Sequence, residues 1–270
     1  MRIRRLGWAG LEIEHAGQYL LIDAVQNNSP LFSDEPFPLP SAPGGTAAAL
    51  VTHLHLDHAD PVTIGAALAE GAPVFRPEPA RGTDHDRTWT AEAEALFIER
   101  GIRTHVLRLW EEQRVGPFHI IAGPAIDGLG CPQCCWIVEC DGVRVIHAGD
   151  TLFHGYWWSI ANRVGPIDFA FLPINGAVVD VPHLQPPSPL NASMTPEQAA
   201  VAAHILGART AVPIHYGSIH KPPVYRETPR AVARFVEQCD ELGVTSSVRA
   251  NGDWFTPSDS PLPPQVLQRP

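Results

Sequence analysis

Short runs of alternating apolar and polar residues open the chain: Ile3 to Leu6, Leu11 to His15 and, after a turn at Ala16-Gly17-Gln18, Tyr19 to Ile22. Runs of this length and period predict a meander of strands. Residues 26–45 then carry five prolines and two glycines, too irregular for regular structure and too long for an ordinary connection. Loops of that kind are often lids or binding loops. The small apolar run Ala47 to Val51 predicts another strand. Asp60-Pro61 supplies an N-cap and a proline at the first helical position, so a helix is expected over Val62 to Glu70, ended by Gly71. A strand at Val74 to Arg76 and a charged connector over 78–87 lead to a second helix, Trp89 to Arg100. That helix is acidic in its early turns at Glu92 and Glu94 and closed by Gly101.

Further strands are expected at Thr104 to Leu107, Phe118 to Ala122, Trp136 to Cys140 and Val143 to Ala148, the last two joined by the hairpin dipeptide Asp141-Gly142. A short helix over 155–163 and a buried strand at Phe169 to Ile174 precede a second proline-rich loop, 175–194. Thr195-Pro196-Glu197-Gln198 is a capping box opening a helix to Leu206. A strand at Thr210 to Ile214, a helix opened by Thr228-Pro229 and closed at Gly243, and a strand at Ser247 to Ala250 complete the pattern. Neither an internal repeat nor a composition shift marks a linker. The expectation is one domain, 1–256, with a proline-rich tail, 257–270. Strands in a run, then helices alternating with strands, then the same order again, suit two packed sheets covered by helices.

Composition narrows the function classes. The 270 residues are 44% apolar and 18% charged, enough to bury a sizeable core. The formal net charge is −10 and Lys221 is the only lysine, which argues against nucleic acid as a partner. No apolar run approaches the length of a membrane span or a secretory signal, so the cytoplasm is the expected location and a membrane is not an expected partner. Five cysteines, three of them in Cys131-Pro-Gln-Cys134-Cys135, do not read as a disulfide framework. A single C-x-x-C is weak as a structural zinc site, and buried thiols or an incidental redox pair are the alternatives.

The chemistry gathers in His53-Leu-His55-Leu-Asp57-His58-Ala-Asp60, three histidines and two aspartates within eight residues. Buried, each would need a polar partner. A lone H-x-H reads as a surface loop, but the full H-x-H-x-D-H between a strand and a helix points to a divalent metal, because imidazole and carboxylate are standard ligands. Asp150 in His147-Ala-Gly-Asp150-Thr151, His215 in Pro213-Ile-His215-Tyr216 and Asp127 in Pro124-Ala-Ile-Asp127 also stand after apolar runs, where a side chain projects from a sheet edge. Taken singly, these are a turn cap, a core histidine and a loop aspartate.

Together and in this order, the segments 6–23, 52–60, 147–151, 171–176 and 211–217 resemble the metallo-β-lactamase superfamily, and within it the L-ascorbate-6-phosphate lactonase-like branch of metal-dependent hydrolases. The resemblance covers residues 2 to about 255 and implies a four-layer αββα sandwich with two divalent ions, zinc, manganese or iron, at one edge between the sheets. Carried over by position, it makes His53 and His55 ligands of the first ion, and Asp57, His58 and His215 ligands of the second. Asp150 would bridge the two. The family's remaining first-ion ligand is usually histidine; here Asp127 stands in that place. Either Asp127 ligates instead or the first site is weak. Three carboxylates against two divalent ions leave one positive charge, which a bridging hydroxide brings near neutral. A carboxylate in place of imidazole makes the first site harder and favours manganese or iron beside zinc.

The expected reaction is attack of a metal-bridging hydroxide on a small-molecule lactone, ester or phosphoester, with Asp57 as proton acceptor and His147 and His154 as further catalytic candidates. His154, Tyr156, Trp157 and Trp158 could form an aromatic wall. His183, Tyr216, His220 and Lys221 lie in loops near the ligands, and the last two would suit an anionic substrate. The alternatives are a phosphodiesterase of nucleic acid or phospholipid, a diiron oxidoreductase, and a binding protein with a relic site. A homo-oligomer is compatible with all of them.

Overall fold

In the computed structural model, which describes residues 1–26, 32, 36–182 and 184–259, the strands gather into two six-stranded sheets. The first runs β1 (Arg2–Arg5), β2 (Leu11–His15), β3 (Gln18–Ile22), β4 (Thr46–Leu50), β5 (Val74–Arg76) and β6 (Thr104–Val106), antiparallel as far as β3 and parallel from there. The second runs, edge to edge, β13 (Thr210–Ile214), β11 (Phe169–Pro173), β10 (Val143–His147), β9 (Cys134–Cys140), β8 (Phe118–Pro124) and β7 (Glu112–Val115). Its first three strands are parallel and the rest antiparallel. A two-stranded ribbon pairs β12 (Val178–Val179) with β14 (Tyr225–Arg226).

Side chains alternate across a strand, so each strand serves two cores. Leu20 and Ile22 of β3 enter the core between the sheets. Leu21 enters the outer core beneath α1 (Pro61–Ala67) and α2 (Ala91–Glu99). On β9, Trp136 and Val138 face inward, while Cys135 and Ile137 face α3 (Tyr156–Val164), α4 (Pro196–Ile205) and α5 (Ala231–Glu241). The result is the expected αββα sandwich. Strands covered on both faces read as near-continuous apolar runs, as Phe169–Pro173 and Thr210–Ile214 do. No helix among the described residues is long and apolar enough to cross a membrane.

Capping chemistry holds where it is local. Asp60 caps α1, Thr195 and Gln198 form the reciprocal capping box of α4, and Asp141 and Gly142 turn β9 into β10 with φ values of 55° and 72°, as a two-residue hairpin requires. Other boundaries yield to tertiary pairing. α1 stops at Ala67, not Glu70, because Leu68 turns extended and the Ala69 N–H donates to the Thr46 carbonyl at 2.9 Å. Thr228 does not cap α5; its N–H donates to the Asn175 carbonyl at 2.7 Å, and the helix starts after Arg230 in a left-handed conformation. Ser247 to Ala250 is no strand and is flanked by isolated bridges at Ser246 and Asn251. β7 and the ribbon were not expected. Of the proline-rich tail, Pro257–Asp259 make one 3-10 turn and 260–270 lie outside the described residues.

Phe171→Ala, which removes a fully buried ring from the core between the sheets, is expected to lower the free energy of unfolding by about 3–5 kcal/mol. Ile98→Ala, at a side chain that is 79% exposed, should change it by less than about 0.5 kcal/mol. Denaturant titration of both variants checks the layering, and equal losses would contradict it.

Candidate metal centre

The C-terminal ends of the parallel strands of both sheets meet at one edge of the sandwich. After β4, the Val51 N–H still donates to the Phe75 carbonyl at 2.9 Å, and then the chain leaves the sheet. The N–H groups of His58 and Ala59 return to the His55 carbonyl at 2.9 and 2.8 Å, folding the histidine motif back on itself. Asp60 accepts from the N–H groups of Val62 and Thr63 and so serves the helix rather than a ligand. From the other sheet, β8 leads to Asp127, β10 through Gly149 to Asp150, and β13 to His215. A Cβ on Gly149, whose φ is +70°, would stand 2.9 Å from the Thr52 Cβ, so glycine is what lets the loops of the two sheets approach.

Asp23, fully buried at the end of β3, organises the ligands without belonging to them. Its carboxylate accepts from the Thr52 N–H at 2.8 Å, the Thr52 hydroxyl at 2.6 Å and His58 Nδ1 at 2.8 Å. Because the one hydroxyl proton of Thr52 goes to Asp23, its oxygen accepts from His53 Nδ1 at 3.1 Å. In the neutral form that a metal would bind, both His53 and His58 therefore keep their proton on Nδ1 and turn the Nε2 lone pair to the centre.

Those lone pairs converge. His53 Nε2 lies 3.0 Å from His55 Nδ1, and His58 Nε2 lies 3.0 Å from His215 Nε2. Asp57 Oδ2 is 3.6 Å from both His58 Nε2 and His215 Nε2, and Asp150 Oδ2 is 3.6 Å from His215 Nε2. Trp8 anchors this end, donating from Nε1 to Asp57 Oδ2 at 3.1 Å and lying over the His215 ring with centroids 4.0 Å apart. Four overlapping sets of side chains place one donor atom each within 4.8 Å: His53, His55 and Asp57; His53, His58 and Asp150; Asp57, His58 and His215; and His55, Asp127 and Cys131. Asp127 is thus grouped with His55 and Cys131 and not with His53.

Burial and mutual charge set the protonation of the cluster. Burial lowers His53 well below the ordinary imidazole range, reinforced by His58 and His55. Burial and then the neighbouring His58 lower His215, to about 4, against the pull of Asp57. At His58 burial acts the same way, but Asp57, Asp23 and Asp150 outweigh it and raise the group to about 9. Burial pushes Asp150 well above the carboxylate range, with Asp127 and Asp57 adding to it. Asp57 stays well below that range despite its burial, because His58 and His215 hold its charged form. Buried atoms without a hydrogen-bond partner point at the same place: His55 Nε2, Asp127 Oδ1 and Asp150 Oδ1. Each unsatisfied atom of this kind costs about 1–3 kcal/mol. Imidazole nitrogens, crowded carboxylates and orphaned acceptors together form a donor set that suits divalent cations.

Not every expected residue joins the cluster. His147 Nε2 donates to the Ala9 carbonyl at 2.7 Å and its Nδ1 accepts the Gly149 N–H at 3.2 Å, so both ring nitrogens are spent on backbone behind the ligands. His154 stacks on Trp157 with centroids 4.2 Å apart and accepts the Tyr156 N–H at Nδ1, outside every ligand set; burial lowers it to about 4. Tyr156 and Trp158 face solvent. His220 is exposed and accepts the Glu227 N–H, Lys221 pairs through its backbone with Tyr225, and His183 lies outside the described residues. Asp23, Thr52 and Trp8 had no expected role, and Cys131 was expected only as a weak structural zinc ligand, a buried thiol or half of a redox pair. An aspartate directly after the apolar run Tyr19 to Ile22 was the one available signal for the first of these.

A cavity of about 330 Å³ opens on His55, Asp57 and Asp150, walled by Trp89, Leu129, Val179, Val181, Ile219 and Tyr225. Among the described residues its lining holds neither lysine nor arginine, and Glu92 adds a further acid. The Tyr225 hydroxyl accepts from Asn175 Nδ2 at 2.6 Å. Burial, then Asp150 and Asp57, push that phenol well above its ordinary range.

A family model described as a beta-lactamase superfamily domain matches residues 18–216. A UPF0173 metal-dependent hydrolase of Rubrobacter xylanophilus is 30% identical over 257 residues, covering 90% of each chain. Another, of Thermococcus kodakarensis, is 28% identical over 244 residues, covering 87% of this chain and 92% of the other. Among solved structures, that of Igni18, a metallo hydrolase from Ignicoccus hospitalis, matches with a TM-score of 0.63 at 21% identity, covering 94% of this chain and 97% of that one, a likeness of fold.

Two outcomes follow from the Asp23 network. Asp23→Asn should weaken zinc binding by about 10–100-fold, because a second-layer partner that fixes ligand tautomers is worth that much; equilibrium dialysis showing wild-type affinity would contradict the assignment. Since His58 is raised to about 9 and must give up its proton to ligate, zinc affinity should rise by at least about tenfold per pH unit between neutrality and about pH 9. A flat profile across that range would contradict the His58 assignment.

Proposed function

The chain belongs to the metallo-β-lactamase superfamily, and from that premise we propose that it is a dinuclear metal-dependent hydrolase of an uncharged, largely apolar small-molecule ester or lactone. The observation that carries the substrate class is the cavity: it opens on Asp57, Asp150 and His55, the rest of its lining is mostly apolar, and its described lining has neither lysine nor arginine. With the acids of the floor taken up by the ions, a sugar phosphate, as the lactonase-like branch would take, or a phosphodiester would find only Glu92 and no described lysine or arginine along the rest of the cavity to hold its remaining charge, which favours a neutral substrate. The net charge of −10 likewise disfavours a nucleic-acid substrate.

His53 and His55, with Asp127, would hold one ion; Asp57, His58 and His215 would hold the other; Asp150 would span both. When bound, the ions supply a nucleophilic hydroxide at neutral pH and polarise the scissile carbonyl. The chain's own groups do the rest. Asp57, held by the Trp8 indole at one oxygen, would take the remaining proton of the attacking hydroxide and pass it to the leaving alkoxide. Tyr225 lines the cavity with its hydroxyl oxygen already accepting from Asn175, so its own proton is left to donate to the developing oxyanion. Its pKa, pushed above the ordinary phenol range, keeps that proton in place at neutral pH. The walls of Trp89, Val179 and Val181 exclude water and hold the apolar part of the substrate.

A panel of neutral lactones, aryl esters and phosphodiesters with the zinc- and manganese-loaded enzyme tests the substrate class: turnover of the neutral esters or lactones is expected, and turnover of phosphodiesters alone would overturn it. Asp150→Asn should abolish hydrolysis of whichever substrate is found. Tyr225→Phe should lower kcat by about 10²-fold, the usual loss for one oxyanion donor, with KM little changed; an unaltered kcat would remove Tyr225 from the reaction.

A further inference from the structure

Cys131 stands where the ligand set is thinnest. Its sulfur, a carboxylate oxygen of Asp127 and a ring nitrogen of His55 lie within 4.8 Å of one another. All three residues are buried, with His55 and Asp127 6% exposed and Cys131 8%. The contact is built into the turn: Asp127 Oδ2 accepts from the N–H groups of Leu129 at 3.1 Å and Cys131 at 2.7 Å, so the carboxylate that closes the turn also fixes the thiol beside itself. Asp127 Oδ1 and His55 Nε2 are buried with no hydrogen-bond partner. Two orphaned acceptors beside a thiol are unfavourable as a core and well suited as a soft-metal site.

The other cysteines have a packing role. Cys134 and Cys140 lie in the core between the sheets, Cys135 and Cys239 in the outer core, and all five are free. The Cys131-x-x-Cys134 spacing is therefore no redox pair: Cys134 belongs to β9, and Cys131 belongs to the turn that carries Asp127.

We propose that Cys131 ligates a metal ion, as a thiolate, at the His55–Asp127 end of the centre. This rests on the reading of the centre as a metal site. As the sulfur–metal bond forms, the S–H bond gives its proton to solvent, so Cys131 adds one negative charge. Asp57, Asp127, Asp150 and Cys131 then balance two divalent ions. A thiolate also softens the first site and turns its preference from manganese toward zinc, cobalt or cadmium, against the hardness that Asp127 alone would confer.

Cobalt(II) titrated into the chelator-treated full-length protein tests this, read by visible absorption for cobalt bound at any ligand set and by near-ultraviolet absorption for the thiolate-to-cobalt charge-transfer band. The wild type should show both. Cys131→Ser, with folding checked by circular dichroism, should keep the visible bands and lose the charge-transfer band. Visible bands in the wild type without a charge-transfer band would overturn the assignment of Cys131 and leave the metal centre standing. A charge-transfer band that survives in Cys131→Ser would overturn it as well. Absence of cobalt binding altogether would sink the metal centre, and the Cys131 assignment with it.

Discussion

The hydrogen bonds that converge on the Asp23 carboxylate, from the Thr52 N–H, the Thr52 hydroxyl and His58 Nδ1, set two imidazole tautomers at once. A buried carboxylate is unfavourable unless each oxygen is satisfied, and here the satisfying groups are the ligand-bearing segment itself. Folding the Val51 to Asp60 stretch onto β3 and aiming His53 and His58 are therefore one event. The sandwich makes this geometry available because β3 and β4 run parallel and end at the same edge, opposite the ends of β10, β11 and β13. His147, tied to the Ala9 carbonyl and the Gly149 N–H, links that network to the second sheet.

Charge ties the site to its substrate. Three carboxylates and four histidines crowd into a space where neither the acids nor the imidazoles can all be ionised together, as the raised Asp150 and the lowered His215 express. Divalent ions would relieve the acids and take up the imidazole lone pairs in one step. The cavity beyond them offers apolar walls and hydroxyl chemistry from Tyr225 but no described cation, so the electrophile must be polarised at the floor of the site. That division suits a neutral acyl group better than a phosphate.

Much of the fold is legible because its signals are local. The Asp60 cap, the Thr195 capping box, the Asp141-Gly142 turn and the apolar runs of β9 to β11 each follow from a few adjacent residues. β7 escapes because Glu112–Val115 is an edge strand with polar side chains, and edges need no apolar pattern. β12 and β14 are two-residue strands set in loops, and only their mutual pairing defines them. At the site, His53, His55, Asp57 and His58 announce themselves by spacing. Asp23 does not, since an aspartate after a strand looks like any turn residue until Thr52 and His58 are seen to share it. Cys131 was hidden by its neighbours: the close sequence spacing to Cys134 suggests a pair, yet strand alternation sends Cys134 into the core between the sheets and leaves Cys131 with Asp127. His154 follows the Gly149-Asp150-Thr151 segment in sequence but is held away from the cluster by its stacking on Trp157.

The most direct measurement is the anomalous scattering of crystals grown with zinc, recorded at the zinc absorption edge. Two ions roughly 3.5–4 Å apart are expected per chain, one on His53 and His55 and the other on Asp57, His58 and His215, with Asp150 touching both. A single ion, or two ions without Asp150 between them, would contradict the dinuclear centre on which the proposed hydrolysis depends.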